Sequence, residues 1–240
     1  MKSLLLGLTL VIPVLTIARP VASQSADFAW NGTVAMGKTV EIRGVNGSVR
    51  AVASDDGAVH VDAMKEARRS DPDSVRIEVV EHDEGVTVCA VYPTPSRARQ
   101  QNGCRQGGGP MDIRNNDVQV DFVVRVPAGV QLAAHTVNGG IDVQALRSDV
   151  QAATVNGPVR IETTGFVSQA STVNGEVVVD VPAGLNAVFY ATTVNGRIDS
   201  DFPISVTGRI SRRSLRGTIG GGGPELRATT VNGNIRLRQH

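Results

Sequence analysis

The sequence is poor in aromatic side chains, which make up 3% of its 240 residues and include a single Trp. Such a chain offers no platform for stacking bases of single-stranded nucleic acid. Its core must be built from small aliphatic residues instead. It also lacks charge of either sign in excess, with a formal net charge of +1. A near-neutral chain has no general electrostatic reason to seek nucleic acid. There are two cysteines, Cys89 and Cys104, and no CxxC pair. The four histidines, His60, His82, His135 and His240, share no metal-ligand spacing. No Gly-x-Ser-x-Gly nucleophile elbow is present.

What the chain does have is repetition. Thr-Val-Asn-Gly occurs five times, with its Asn at Asn138, Asn156, Asn174, Asn195 and Asn232, spaced 18, 18, 21 and 37 apart. An earlier echo around Asn46 lacks only the Thr. An Ala stands two residues before each Thr, at Ala134, Ala152, Ala170, Ala191 and Ala228. Five residues after each Thr come Ile141, Val159, Val177, Ile198 and Ile235. Each unit therefore reads as strand, Asn-Gly corner, strand, with the period-2 alternation of half-buried strands. The inward phase switches near Thr-Val, which predicts a bend or bulge there.

Two all-β architectures fit. In a right-handed β-solenoid with coils of roughly 18–21 residues, equivalent residues stack, and one position can then always be Ala and another always Asn. In an antiparallel meander or barrel, each Asn-Gly closes a hairpin with a type I′ turn. The solenoid explains the invariant positions better. Phe28 and Trp30 are expected to cover its open end. Leu215-Arg216-Gly217-Thr218-Ile219 fills the long gap before Asn232, with Arg216 in the Asn place.

Val126-Pro127-Ala128-Gly129, the segment Phe202-Pro203-Ile204 through Gly223-Pro224, and the Thr-Val-Asn-Gly copies together resemble the bacterial putative-adhesin family, whose members are exported or envelope domains of unknown function. The resemblance spans roughly residues 28–240. It implies a β-solenoid and brings no catalytic residues.

Residues 1–23 read as a signal peptide, with Lys2, an apolar run from Leu4 to Ile17 and a small-residue cleavage site ending at Ser23. Removing them takes away Lys2 and Arg19 and no acid, leaving 22 basic against 23 acidic residues. The remainder, 24–240, is expected to be one adhesin-like domain, secreted or periplasmic, with no later segment able to span a membrane. Export makes a Cys89–Cys104 disulfide the default. It would tether a long basic insertion, 92–117, that has little apolar periodicity and is expected to be the least ordered internal region. Glu81-His82-Asp83-Glu84 reads as a solvated hairpin tip rather than a metal site.

Arg209, Arg212, Arg213 and Arg216 form the most basic stretch and are candidates for contact with an anionic surface. Carboxylates do not line up on adjacent units, no cofactor is implied, and no catalytic residue can be nominated. The expected function is a non-catalytic exported scaffold contacting a cell-envelope component, polysaccharide or partner protein. An accessory or sensory envelope domain is the alternative, and a polysaccharide-active enzyme fits worst.

Overall fold

The computed structural model describes residues 27–206, 211 and 213–240. The expected signal peptide lies outside them, as do Arg209 and Arg212. The described chain is all-β and forms two mixed sheets. The first sheet runs, in spatial order, β1 (Phe28–Gly32), β4 (Val59–Glu66), β7 (Gln119–Val126), β3 (Val49–Ala53), β9 (Ile141–Leu146), β11 (Val159–Thr163), β13 (Val177–Val181), β19 (Ile235–Gln239), β15 (Ile198–Ser200). The second runs β16 (Ile204–Val206), β17 (Ser214–Ile219), β14 (Ala187–Thr192), β18 (Glu225–Thr229), β12 (Val167–Ser171), β10 (Val150–Ala153), β8 (Gln131–His135), β2 (Thr39–Arg43), β6 (Gly85–Val91), β5 (Arg76–His82).

Each Asn-Gly carries the chain from the second sheet to the first, as in β8 to β9 and β10 to β11. The flanking strands therefore do not pair with each other, and the hairpin expectation fails at these corners. Pairing is instead parallel and between equivalents. Ala134, Ala152, Ala170, Ala228 and Ala191 lie side by side across the second sheet. Ile141, Val159, Val177, Ile235 and Ile198 do so across the first. All of these except the edge residue Ile198 are buried. The core between the sheets is filled largely by Val, Ile, Leu and Ala, each touching its counterpart in the next unit, with Tyr92, Phe122 and Phe189 its largest members. Burying one such aliphatic side chain contributes about 1.5–3 kcal/mol, so many thin layers replace a few bulky residues.

The spatial order departs from chain order at both ends. The unit β18–β19 sits between β12–β13 and β14–β15, while β6–β7 lies outside β2–β3. Antiparallel strands continue the sheets beyond these units: β5 on β6, β4 and β1 on β7, and β17 and β16 on β14. Phe28 and Trp30 lie on the edge strand β1, partly buried against the core. One sequence expectation is corrected here. Arg216 is not at a corner: it lies in β17, opposite Tyr190, in an antiparallel pair. Ser168, in a position otherwise held by Leu132, Val150, Phe189 and Leu226, is displaced by a register shift, and Val167 takes the buried place beside Val150.

Candidate functional site

The corners form one continuous column. Asn46, Asn138, Asn156, Asn174, Asn232 and Asn195 bridge in that order, all parallel. Their amides form a ladder in which each Nδ2 donates to the Oδ1 of the previous Asn at 2.7–2.8 Å. The ladder ends with Asn46 Nδ2 donating to the Val118 carbonyl at 3.4 Å. The Thr of each copy builds a second, buried ladder. Thr136, Thr154, Thr172, Thr230 and Thr193 each donate Oγ1–H to the corner Gly carbonyl of the neighbouring unit at 2.8–2.9 Å. The Gly of each copy is required by the stacking distance. A Cβ on Gly139, Gly157, Gly175, Gly233 or Gly196 would stand 1.8–2.3 Å from the next unit's glycine carbonyl oxygen.

The Val of each copy points out. Val137, Val155, Val173, Val231 and Val194 are 37–48% exposed and make a solvent-facing aliphatic row beside the exposed amide ladder.

The unit β6–β7 has no Asn-Gly corner, and residues 92–118 take its place. This segment is more firmly held than its composition suggests. Cys89 and Cys104 are joined in a disulfide, with Cα atoms 5.5 Å apart. The buried Asn102 amide donates to the carbonyls of Tyr92 (3.1 Å), Pro93 (3.3 Å) and Asp112 (2.7 Å), and its Oδ1 accepts from Asp112 N–H at 2.8 Å. The Tyr92 hydroxyl donates to the Val118 carbonyl at 2.7 Å. The buried Glu41 carboxylate accepts from Arg43 (2.7 Å), the Thr87 hydroxyl (2.8 Å) and Gly107 N–H (3.0 Å). Burial pushes the Glu41 carboxyl up, but these three donors outweigh it and hold it below its usual value. The insertion expected to be the least ordered internal region is thus a loop pinned at several points. Asn102, which makes four of these bonds, carried no signal in the sequence.

Of the basic stretch, the described Arg213 and Arg216 are exposed. Tyr190 lies between Arg216 on one neighbouring strand and Arg227 on the other, with the Arg227 guanidinium 4.8 Å from its ring centre. Of the expected hairpin tip Glu81–Glu84, Glu81 and His82 end β5 and Asp83 and Glu84 form the β5–β6 turn, and the His82 ring bonds Thr87 Oγ1 at 3.0 Å. Among the described residues, no group of three or more His, Cys, Asp and Glu side chains is arranged to hold a metal ion. No helix there is long and apolar enough to cross a membrane.

No protein-family model and no curated protein matches the chain. Among solved structures it is similar to a putative cell adhesion protein from Clostridium sporogenes ATCC 15579, with 12% identity and a TM-score of 0.56 over 89% of this chain and 99% of that one. At that identity the likeness speaks for the fold alone. Putative adhesins from Bacteroides fragilis NCTC 9343 and Parabacteroides distasonis ATCC 8503 align over 88% of this chain and 96% of theirs, at 10% and 12% identity. Their TM-scores of 0.27 and 0.23 are too low to carry an argument.

Proposed function

We propose that the chain is a single-domain, right-handed β-solenoid that acts as a non-catalytic, exported, adhesin-like scaffold. It contacts a component of the cell envelope, a polysaccharide or a partner protein. The observation that carries this reading is the exposed row of valines beside the Asn ladder. A sequence that repeats an exposed aliphatic residue at every turn of a rigid stack maintains a regular contact surface, since contiguous exposed apolar residues mark interaction sites. The adhesin-type fold of the Clostridium protein and the disulfide, which suits an oxidising compartment, are consistent with it.

The test uses the mature chain beginning after Ser23, with binding to intact bacterial cells, a glycan panel and envelope extracts measured alongside glycan-hydrolysis assays. Saturable binding that weakens when Val155 and Val173 are changed to Asp is the expected result. No binding to any of these, or product release from a glycan, would overturn the scaffold reading. A cytoplasmic, uncleaved N-terminus in the native host would overturn export.

A further inference from the structure

Besides the stretch Arg209 to Arg216, the chain holds a second concentration of positive charge, in the disulfide-tethered loop. Residues 93–116 hold four arginines and a single acid, Asp112, so this loop carries +3 in a chain of formal net charge +1. Arg97, Arg99, Arg105 and Arg114 are all exposed. Arg97, Arg99 and Arg114 line one hollow of about 520 Å³ together with Gln100, Pro110 and Met111. Asp112 also lines it and pairs with Arg114 at 3.6 Å. Among the described residues, Arg97 and Arg99 have no carboxylate within ion-pair distance.

The loop is built to hold these guanidinium groups together. Asn102 clamps the limb that starts at Tyr92 to the limb at Asp112, which brings the Arg97–Arg99 turn opposite Arg114. The turn itself is closed by Ala98 N–H donating to the Pro95 carbonyl at 2.9 Å. The disulfide and the Glu41–Gly107 bond fix the far side of the loop to the second sheet. A frame fixed in this way lowers the ordering cost of binding.

We propose that this hollow binds an acidic polysaccharide through its carboxylate groups. Every basic residue of the loop is Arg and none is Lys, and the planar guanidinium fork matches carboxylates bidentately. The hollow is shallow and open to solvent, and its volume accommodates a short stretch of sugar rings. The hollow has no aromatic lining for stacking bases, which disfavours single-stranded nucleic acid. It has no exposed Trp, Phe or Leu to anchor in a bilayer. The inference shares with the scaffold reading only the premise that the chain meets envelope polymers.

The experiment measures binding of polygalacturonate to the mature, oxidised protein, with dextran, sonicated duplex DNA and phosphatidylglycerol vesicles as comparators. The variants are Arg97→Gln/Arg99→Gln/Arg114→Gln and, as a control that removes exposed arginines outside the hollow, Arg213→Gln/Arg216→Gln. All changed positions are exposed, and unchanged thermal midpoints check that each variant folds. The expected result is polygalacturonate binding that weakens with salt, falls about tenfold or more in the triple variant and stays within about twofold in the control. Equal binding by the triple variant, or tighter binding to DNA or vesicles than to polygalacturonate, would overturn the assignment. Cell binding retained by a triple variant that has lost polygalacturonate binding would support both the hollow and the separate valine contact surface. Polygalacturonate binding by a wild-type chain that binds neither cells nor envelope extracts would leave the hollow standing and count against the valine row as a contact surface.

Discussion

Replacing Gly175 by Ala tests the stacking argument most directly. The added methyl would lie 2.0 Å from the Gly157 carbonyl oxygen and 2.5 Å from its carbon. Both are backbone atoms of the next unit, so no rotamer change relieves the contact. Gly157 is itself held, because its carbonyl accepts from Thr172 at 2.8 Å and its N–H donates to Asn174 at 3.0 Å. The neighbouring units must separate locally, weakening the Asn and Thr bonds on both sides. Overpacking of a well-filled site costs about 1–3 kcal/mol, and a backbone-to-backbone clash belongs at the upper end, about 3 kcal/mol. For a chain of this size that lowers the thermal midpoint by about 6–12 °C. Gly184→Ala is the control, since a Cβ there meets nothing within 4 Å; its change should stay within about 0.5 kcal/mol. The assay is urea unfolding followed by circular dichroism, with thermal scans in parallel. A Gly175→Ala loss below about 1 kcal/mol, or one no larger than the control's, would refute the steric account of the glycine that recurs in each copy of the repeat.

Three other outcomes are expected. Asn156→Leu removes a donor to Asn138 and an acceptor for Asn174; because the ladder is exposed and water can replace some of these bonds, urea unfolding should show a loss of about 1–2 kcal/mol, less than for Gly175→Ala. Cys104→Ser opens a disulfide that spans 15 residues, should cost about 3 kcal/mol, and should make Arg97, Arg99 and Arg105 the first tryptic sites, whereas the native protein, with its loop pinned, should resist cleavage there. His135 has its imidazole pKa held below the usual 6.5, first by burial and then by the Arg43 charge, with Glu41 acting the other way. Its folded state therefore resists a proton that the unfolded chain accepts, so its contribution is complete above pH 6.5 and is lost as pH falls below that value; His135→Gln should flatten this part of the stability profile, and an unchanged slope would contradict it.

The repeat made much of this fold legible. Alternation, the invariant Ala and the recurring Asn-Gly together pointed to stacked units, and the Asn column is where the spacing placed it. Other features are invisible to a one-dimensional pattern. The 37-residue interval between Asn195 and Asn232 looked like a missing copy, but it records a detour through β16 and β17 before the chain returns one place inside the end. Nothing local distinguishes a strand that extends the stack from one that is inserted into it. The role of Thr in each copy has no local signal, because it depends on a carbonyl in another unit. The loop at 92–117 read as the least ordered region because Gly, Pro and polar residues dominate it, yet one buried amide satisfies four bonds there. A pattern of types cannot show that a particular Asn points inward.

The inserted unit has a consequence for the order of assembly. β18 pairs with β12 on one side and β14 on the other, and β19 likewise with β13 and β15. Until β18–β19 arrives, β14–β15 has no parallel neighbour and must wait about two strand spacings, some 9.6 Å, from β12–β13. The stack at this end cannot grow by adding one layer after another. It closes as a zip does when its slider is the later-made segment, and the gap it fills presents two unpaired edges until that moment. A chain truncated before Glu225 would hold those edges open to other molecules, the condition under which unpaired strands promote aggregation.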